Sequence, residues 1–214
     1  MSGIHLALLG MSFGGGIPDI GAAYQGGFFA GQISTAGTGV ADYNLVIAPK
    51  SSGENSSKQW KTSNTSTAGT SSVIDGPTNS ANMNDASHPA AQFCEGLTIG
   101  TFSDWYMPAQ NELEVCYFNL KPTTTSNSTG SGTNTNAVPS RGSNYTAGTP
   151  AQTAATDFQT GNTEAFAANL YWSSTEGSVA GAWAQTFADG NQYSATFFNK
   201  TTSMYVRAVR RVAV

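Results

Sequence analysis

The sequence predicts an α+β domain, and three observations carry that expectation. Two short amphipathic helical patterns follow one another between residues 88 and 120. Strand-like runs then crowd residues 170–214. The tripeptide Asp189-Gly190-Asn191 makes a strong hairpin turn between two of those runs. Helices followed by an antiparallel meander belong to the α+β pattern.

Taken in order, residues 1–24 are Gly-rich, apolar and almost uncharged, with Ile4, Leu6, Leu8, Leu9, Met11, Phe13, Ile17 and Ile20. Such a stretch is expected to dock on a partner chain or a neighbouring protomer, the other reading being a disordered leader. Gly27 to Ile33 and Tyr43 to Ala48 read as strands, with Pro49 closing the second. A polar stretch from Ser51 to Ser80 follows, broken by Trp60 and by Val73-Ile74. His88-Pro89 opens the first helix, in which Ala90, Phe93, Cys94 and Leu97 recur at i, i+3, i+4 and i+7. Asp104 to Pro108 leads into the second, where Leu113, Cys116, Tyr117 and Leu120 share a face before Pro122 stops it. Residues 121–165 are rich in Thr, Ser, Asn and Gly and read as a polar loop insertion. The closing strands are expected at Tyr171–Thr175, Ala182–Ala188, Gln192–Phe198 and Met204–Val212.

Composition narrows the function. Of 214 residues, 39% are hydrophobic and 11% aromatic, enough for a core. Only 10% are charged, against about 25% in ordinary soluble domains. The surface must therefore be built from hydroxyls and amides, as in secreted and virion proteins. A net charge of −4 argues against nucleic-acid binding, which needs a basic stripe. The sole basic cluster is Arg207, Arg210 and Arg211. The apolar opening has no basic n-region, since Lys50 is the first Lys or Arg, and its apolar run is far too short to span a bilayer. Neither a signal peptide nor a membrane anchor is therefore expected.

Several ordered motifs carry a resemblance. Asp104-Trp105-Tyr106-Met107-Pro108 with Glu112-Leu113, then Tyr171-Trp172-Ser173-Ser174-Thr175-Glu176, then Ala182-Trp183, Phe187 and Gly190, and finally Val206-Arg207-Ala208-Val209-Arg210-Arg211 occur in that order. The set resembles bacterial and phage proteins with the C-type-lectin-like fold and covers residues 25–214. That resemblance implies two helices packed on a twisted antiparallel sheet, with residues 1–24 outside it as an attachment or oligomerisation segment. Most motif residues are expected to be scaffold. Trp172, Trp183 and Phe187 would fill the core, and Arg207 would anchor a loop through its planar fork. The calcium-binding carboxylates and amides of sugar-binding members are missing: the neighbourhood of Pro108 reads Met-Pro-Ala, and the late strand reads Ala-Trp-Ala-Gln.

Catalysis finds little support. His5 lies in the apolar leader, and His88 reads as a helix-entry residue. Cys94 and Cys116 lack the ligand spacing of a zinc site, and they either pair outside the cell or stay buried as thiols, the reading that cytosolic folding favours. Formylglycine-generating oxidases share the implied fold and use reactive cysteines with copper. They are the enzymatic alternative, disfavoured by cysteines inside helices. No catalytic residue, metal ligand or cofactor is assigned. A binding surface needs only rigid aromatics and adaptable amides. Ser178, Asn191, Gln192, Tyr193, Phe198, Asn199 and Lys200 offer these on the late strands and loops, although Tyr193 and Phe198 also read as core. The expectation is a phage virion protein, assembled in the host cytoplasm and joined to other virion proteins through residues 1–24. It would be a homo-oligomer, with a trimer favoured, that binds a host-surface glycan or protein. The alternative is a structural decoration, neck or fibre part without a receptor role.

Overall fold

The β-branched and aromatic runs near the start of the chain pair into a first sheet. A computed structural model describes residues 16–194 and 196–214. In it β1 (Ala23–Tyr24), β2 (Gly27–Ile33) and β3 (Tyr43–Ile47) are successive antiparallel neighbours, with a bulge between Phe29 and Gly31. A four-residue helix, α1 (Lys50–Gly53), then delivers the chain to β4 (Glu54–Gln59), the edge of a second sheet. Helices α2 (Gly76–Ala81), α3 (Pro89–Glu95) and α4 (Gln110–Leu120) follow, and β5 (Ala137–Val138) adds to the end of β2. The rest of the second sheet comes from β6 (Leu170–Glu176), β7 (Ala182–Thr186), β8 (Gln192–Tyr193) and β9 (Ser203–Arg207), in the order β4-β9-β6-β7-β8. Finally β10 (Val209–Ala213) returns to the first sheet beside β3, pairing Val209 with Ile47 and Ala213 with Tyr43. The architecture is α+β, mostly sheet.

Strand alternation divides the interior in two. Leu45 and Ile47 face one cluster with Leu113, Cys116, Tyr117, Leu120, Tyr171 and Phe187. Val46, between them in sequence, faces the other with Trp60, Cys94, Trp105, Trp172, Met204 and Val206. Helix α4 lies against β2 and also meets β6 and β7, so Glu112, Glu114 and Val115 are buried along with its apolar face.

Four expectations need correction. The run Met204–Val212 is two strands, because the chain passes from one sheet to the other at Ala208. There the Ala208 N–H donates to Gly53 O, and its carbonyl accepts from Ala48 N–H. Residues 206–210 are buried without a break across the crossing, so the run conceals it. The stretch Ser51–Ser80 holds all of β4 and most of α1 and α2, and buries Trp60, Thr70, Asn79 and Ser80. The segment 121–165 is indeed poor in regular structure, but it is no solvated insertion. Asn127, Asn134, Tyr145 and Phe158 are buried in it, and the Asn127 amide donates to the carbonyls of Thr146 and Pro150. Side-chain amides replace the missing ladder as partners for buried carbonyls. Residues 19–24 belong to the domain, since Ile20 packs on the first cluster, Gly21 N–H donates to Phe29 O and β1 pairs with β2. Residues 1–15 of the proposed attachment segment lie outside the described residues.

The basic cluster near the C-terminus is spent internally. Arg210 grips Asp104 with two bonds of 2.7 and 2.9 Å, and Arg211 donates to Glu112 at 2.8 Å. Arg207 is wholly buried and bonds Ala48 O and Glu164, which is the loop anchor expected of it. Two residues of the Asp104–Leu113 motif thus hold the two arginines that end the last one. These motif residues are scaffold.

A second knot predicts acid sensitivity. Burial opposes ionisation of Glu176. The Lys200 ammonium at 2.6 Å, the Thr67 N–H and the Thr70 hydroxyl outweigh it and hold the carboxyl below its ordinary value of 4.5. A depressed folded value means the contribution is complete above the unfolded value and lost as pH falls through the folded one. Melting temperature of Glu176→Gln is therefore expected to lie below that of the parent at pH 6, and the gap to shrink below pH 4.5. A gap constant across that range would show that the carboxylate's charge is not what matters.

Candidate binding surface

The late hairpin forms as the turn residues require. Gly190 adopts φ +77°, Thr186 N–H donates to Asn191 O at 3.0 Å, and Asp189 Oδ1 accepts from Asn191 N–H at 3.0 Å. A Cβ at position 190 would lie 2.2 Å from the Tyr117 ring, so this turn is seated on α4. The following strand is shorter than expected. Only Gln192 and Tyr193 pair with β7, and the backbone turns so that Phe197 N–H donates to Ser194 O. Tyr193 meets Phe197 and Phe198 edge-on, at 5.6 and 5.3 Å between centroids, which folds the chain back before Asn199 bridges to Gly181.

This arrangement sorts the seven candidate residues. Gln192, Tyr193 and Phe198 are partly exposed and Asn199 is exposed, all on the rim of the second sheet. Asn191 is occupied: its Oδ1 accepts from Ser128 and Ser131, pinning the polar segment to the hairpin. Ser178 lies in a tight turn, where its Oγ accepts from Gly181 N–H. Lys200 is a correction. It is fully buried, its ammonium bonds Glu176, Thr65 O and Val179 O, and it lies over the Trp60 ring at 4.7 Å. Three acceptors and an aromatic face compensate a buried cation, so this lysine ties loops together and faces no ligand.

Sequence reasoning missed the residue that matters most here. Trp183 was expected in the core with Trp172 and Phe187. Gln185, on β7, and Phe187, just past its end, are indeed buried, but Trp183 is partly exposed. It opens on a cleft of about 300 Å³ lined also by Gln110, the loop 130–133, Asn144, Gln192, Ser194 and Phe197. None of these side chains is ionisable. The signal available in the sequence was the low-charge segment 121–165, which supplies one wall. That wall is fixed: Ser131 Oγ accepts from Gln192 N–H at 2.9 Å, Ser131 O accepts from Tyr145 N–H at 2.7 Å, and Thr133 donates to Asn144 at 2.8 Å. Phe197 stands 67% exposed at the rim.

Groups with reactive chemistry lie elsewhere and are engaged. Cys94 and Cys116 are free thiols in different core clusters, and burial pushes both up. His88 precedes α3, with Nδ1 on Asp85 and Nε2 on Thr67 Oγ1. Burial raises Glu112 and Glu114, opposed by Arg211 and Arg141 respectively. Asp75 caps α2 through Thr78 N–H. Among the described residues no three or more His, Cys, Asp or Glu side chains group as a metal-ligand set, and no helix is long and apolar enough to cross a membrane.

Fold and surface together define an α+β scaffold that turns most of its paired charges inward and whose open cleft is aromatic and neutral. The sequence model of the Lcl C-terminal domain matches residues 53–210, and the chain belongs to that family. Among curated proteins none matches. Among solved structures, a fimbrial protein from Bacteroides ovatus ATCC 8483 is similar over 78% of this chain, with 18% identity and a TM-score of 0.42. The match covers 35% of that protein, so this chain spans about a third of its length.

Proposed function

We propose that the chain is a non-catalytic adhesin domain, carried on a phage fibre, that recognises the host surface with the rim of its second sheet. The observation that carries this reading is the contrast between interior and rim. Glu54, Glu112, Glu114, Glu164 and Glu176 are all paired inside with arginine or lysine, whereas the rim offers aromatics, amides and hydroxyls. Membership in the Lcl C-terminal domain family and the motif resemblance to C-type-lectin-like phage proteins support the same reading. Recognition by such a surface needs shape and hydrogen bonding, with no proton transfer or nucleophile.

The test uses Tyr193→Ala, Phe197→Ala and Asn199→Ala, each on whole particles and as isolated domain. Asn191→Ala is unsuitable, because it would release the wall at Ser128 and Ser131. Particles with the first two changes are expected to adsorb to host cells about tenfold less well. The isolated variants should melt within about 3 °C of the parent, as substitutions outside the core do. Unchanged adsorption for all three would overturn the adhesin reading and leave a structural part of the particle, such as a decoration or neck component.

A further inference from the structure

We infer that the cleft over Trp183 is a site for the terminal unit of an uncharged saccharide, an inference that rests on the recognition reading above. Four features of the cleft converge on that ligand class.

The floor is one aromatic face of the right kind. Trp60, Trp105 and Trp172 are at most 1% exposed, so Trp183 is the chain's one accessible indole. Its ring N–H has no partner among the described residues. An amphipathic ring with an open N–H offers a stacking face for sugar C–H bonds and a donor for a hydroxyl. Amides then surround it, Gln110, Asn144 and Gln192, with the Ser194 hydroxyl beside them, while the Ser131 and Thr133 hydroxyls hold the wall in place. Each amide is both donor and acceptor, which suits hydroxyl groups, since every hydroxyl gives one hydrogen bond and takes others.

Charge selects against acidic sugars. No lining side chain is cationic, and the chain's net charge is −4. A carboxylate or sulfate placed there would lose water without gaining an opposite charge. An apolar peptide fares no better, because its side chains would meet amides and hydroxyls everywhere except at Trp183 and Phe197. Size sets the extent of the ligand. About 300 Å³ is the lower limit for small-molecule sites, so the cleft takes an end unit and leaves the rest of a chain outside.

The site is also built in advance. Trp183 and Gln192 lie on paired strands, and Gln110 is the first residue of α4, its N–H held by Thr175 Oγ1 at 3.0 Å. Gly132 adopts φ +112°, and a Cβ there would lie 2.3 Å from the Tyr145 ring, so the wall rests tightly on a buried aromatic. Such preorganisation lowers the ordering cost that limits affinity for small ligands.

The experiment screens the full chain against neutral oligosaccharides ending in glucose, galactose, mannose or N-acetylhexosamine, beside sialylated and sulfated counterparts, with a chelator present throughout. Tryptophan emission is the second readout, since only Trp183 is accessible. At least one neutral probe is expected to bind and to shift the emission, while the acidic set does not. Gln192→Ala and Trp183→Ala should weaken binding of that probe at least tenfold, and Trp183→Ala should abolish the emission change, with melting temperatures near the parent. Preference for acidic probes, binding untouched by either change, or no binding by any probe would each overturn the saccharide inference. If the parent still attaches to host cells in those cases, the adhesin reading stands and its ligand is of another class. If attachment also fails, both fall.

Discussion

Trp172→Ala is expected to cost about 3–5 kcal/mol, the range for truncating a large buried aromatic. Trp172 is fully buried in β6, opposite Ala184 of β7, and packs in the cluster that also holds Trp60, Trp105, Met204 and Val206. Its indole N–H donates to Thr202 O at 3.2 Å, so the truncation also strips a carbonyl at the entry to β9 of its partner. Small partners such as Ala182 and Ala184 on β7 cannot swing in to fill the space, because their Cβ atoms are fixed by strand pairing. For a domain of this length, each kcal/mol moves the melting temperature by about 2–4 °C, so a fall of about 6–20 °C follows. Trp183→Ala is the control within the same hairpin and should cost about 1 kcal/mol or less, since its ring is partly in water already. Equal losses for the two tryptophans would mean that the cleft floor is core, and that the site assignment is wrong.

How far the sequence reaches is visible in those same residues. The 3.6-residue spacing in α4 located Leu113, Cys116, Tyr117 and Leu120 correctly, because that face of the helix packs in one core cluster against β2, β6 and β7. Asp189-Gly190-Asn191 was readable because a positive φ at Gly190 is a local demand. The motif residues Asp104, Glu112 and Arg207 were correctly read as scaffold. What failed depends on partners distant in sequence. Lys200 looked like a surface cation, and only the approach of Thr65, Val179 and Glu176 makes it a buried knot. Trp183 looked like its neighbour Trp172, and only the seating of residues 130–133 and 144 shows which ring stays open. The Asn- and Thr-rich segment 121–165 read as loop, and its amides turned out to cap carbonyls across the fold, as Asn136 does for Ser34 and Thr35. Composition shows that amides are plentiful and says nothing about whom they bond.

Arg207→Leu should cost as much as the tryptophan change, by a different route and with a different pH profile. Nε donates to Ala48 O at 2.9 Å, Nη1 to Glu164 O at 2.8 Å, and Nη2 to Glu164 Oε2 at 2.6 Å, while Glu54 Oε2 lies 3.8 Å from Nη1. The guanidinium also lies 4.8 Å over the Phe166 ring. One side chain therefore joins the end of β3, the edge strand β4 and the segment after residue 160. A leucine fills part of the volume and keeps the strand position, but it leaves the mostly buried Glu54 and Glu164 carboxylates without the cation they share. Removing one partner of a buried pair costs about 3–5 kcal/mol. Burial already raises Glu54, with Arg207 the largest opposing influence, so its loss must raise Glu54 further. A folded value above the unfolded 4.5 means that the folded state holds the extra proton, and stability then falls as pH rises through that window. The variant is accordingly expected to lose least near pH 4.5 and most at pH 7 and above, in chemical melts run across that range. Glu54→Gln placed in the Arg207→Leu background should flatten the profile, because a neutral amide has no proton to gain. A loss independent of pH in Arg207→Leu would show that packing on Phe166 and the bonds to Ala48 and Glu164 carbonyls outweigh the charge, and would remove the electrostatic account of how this arginine holds the fold together.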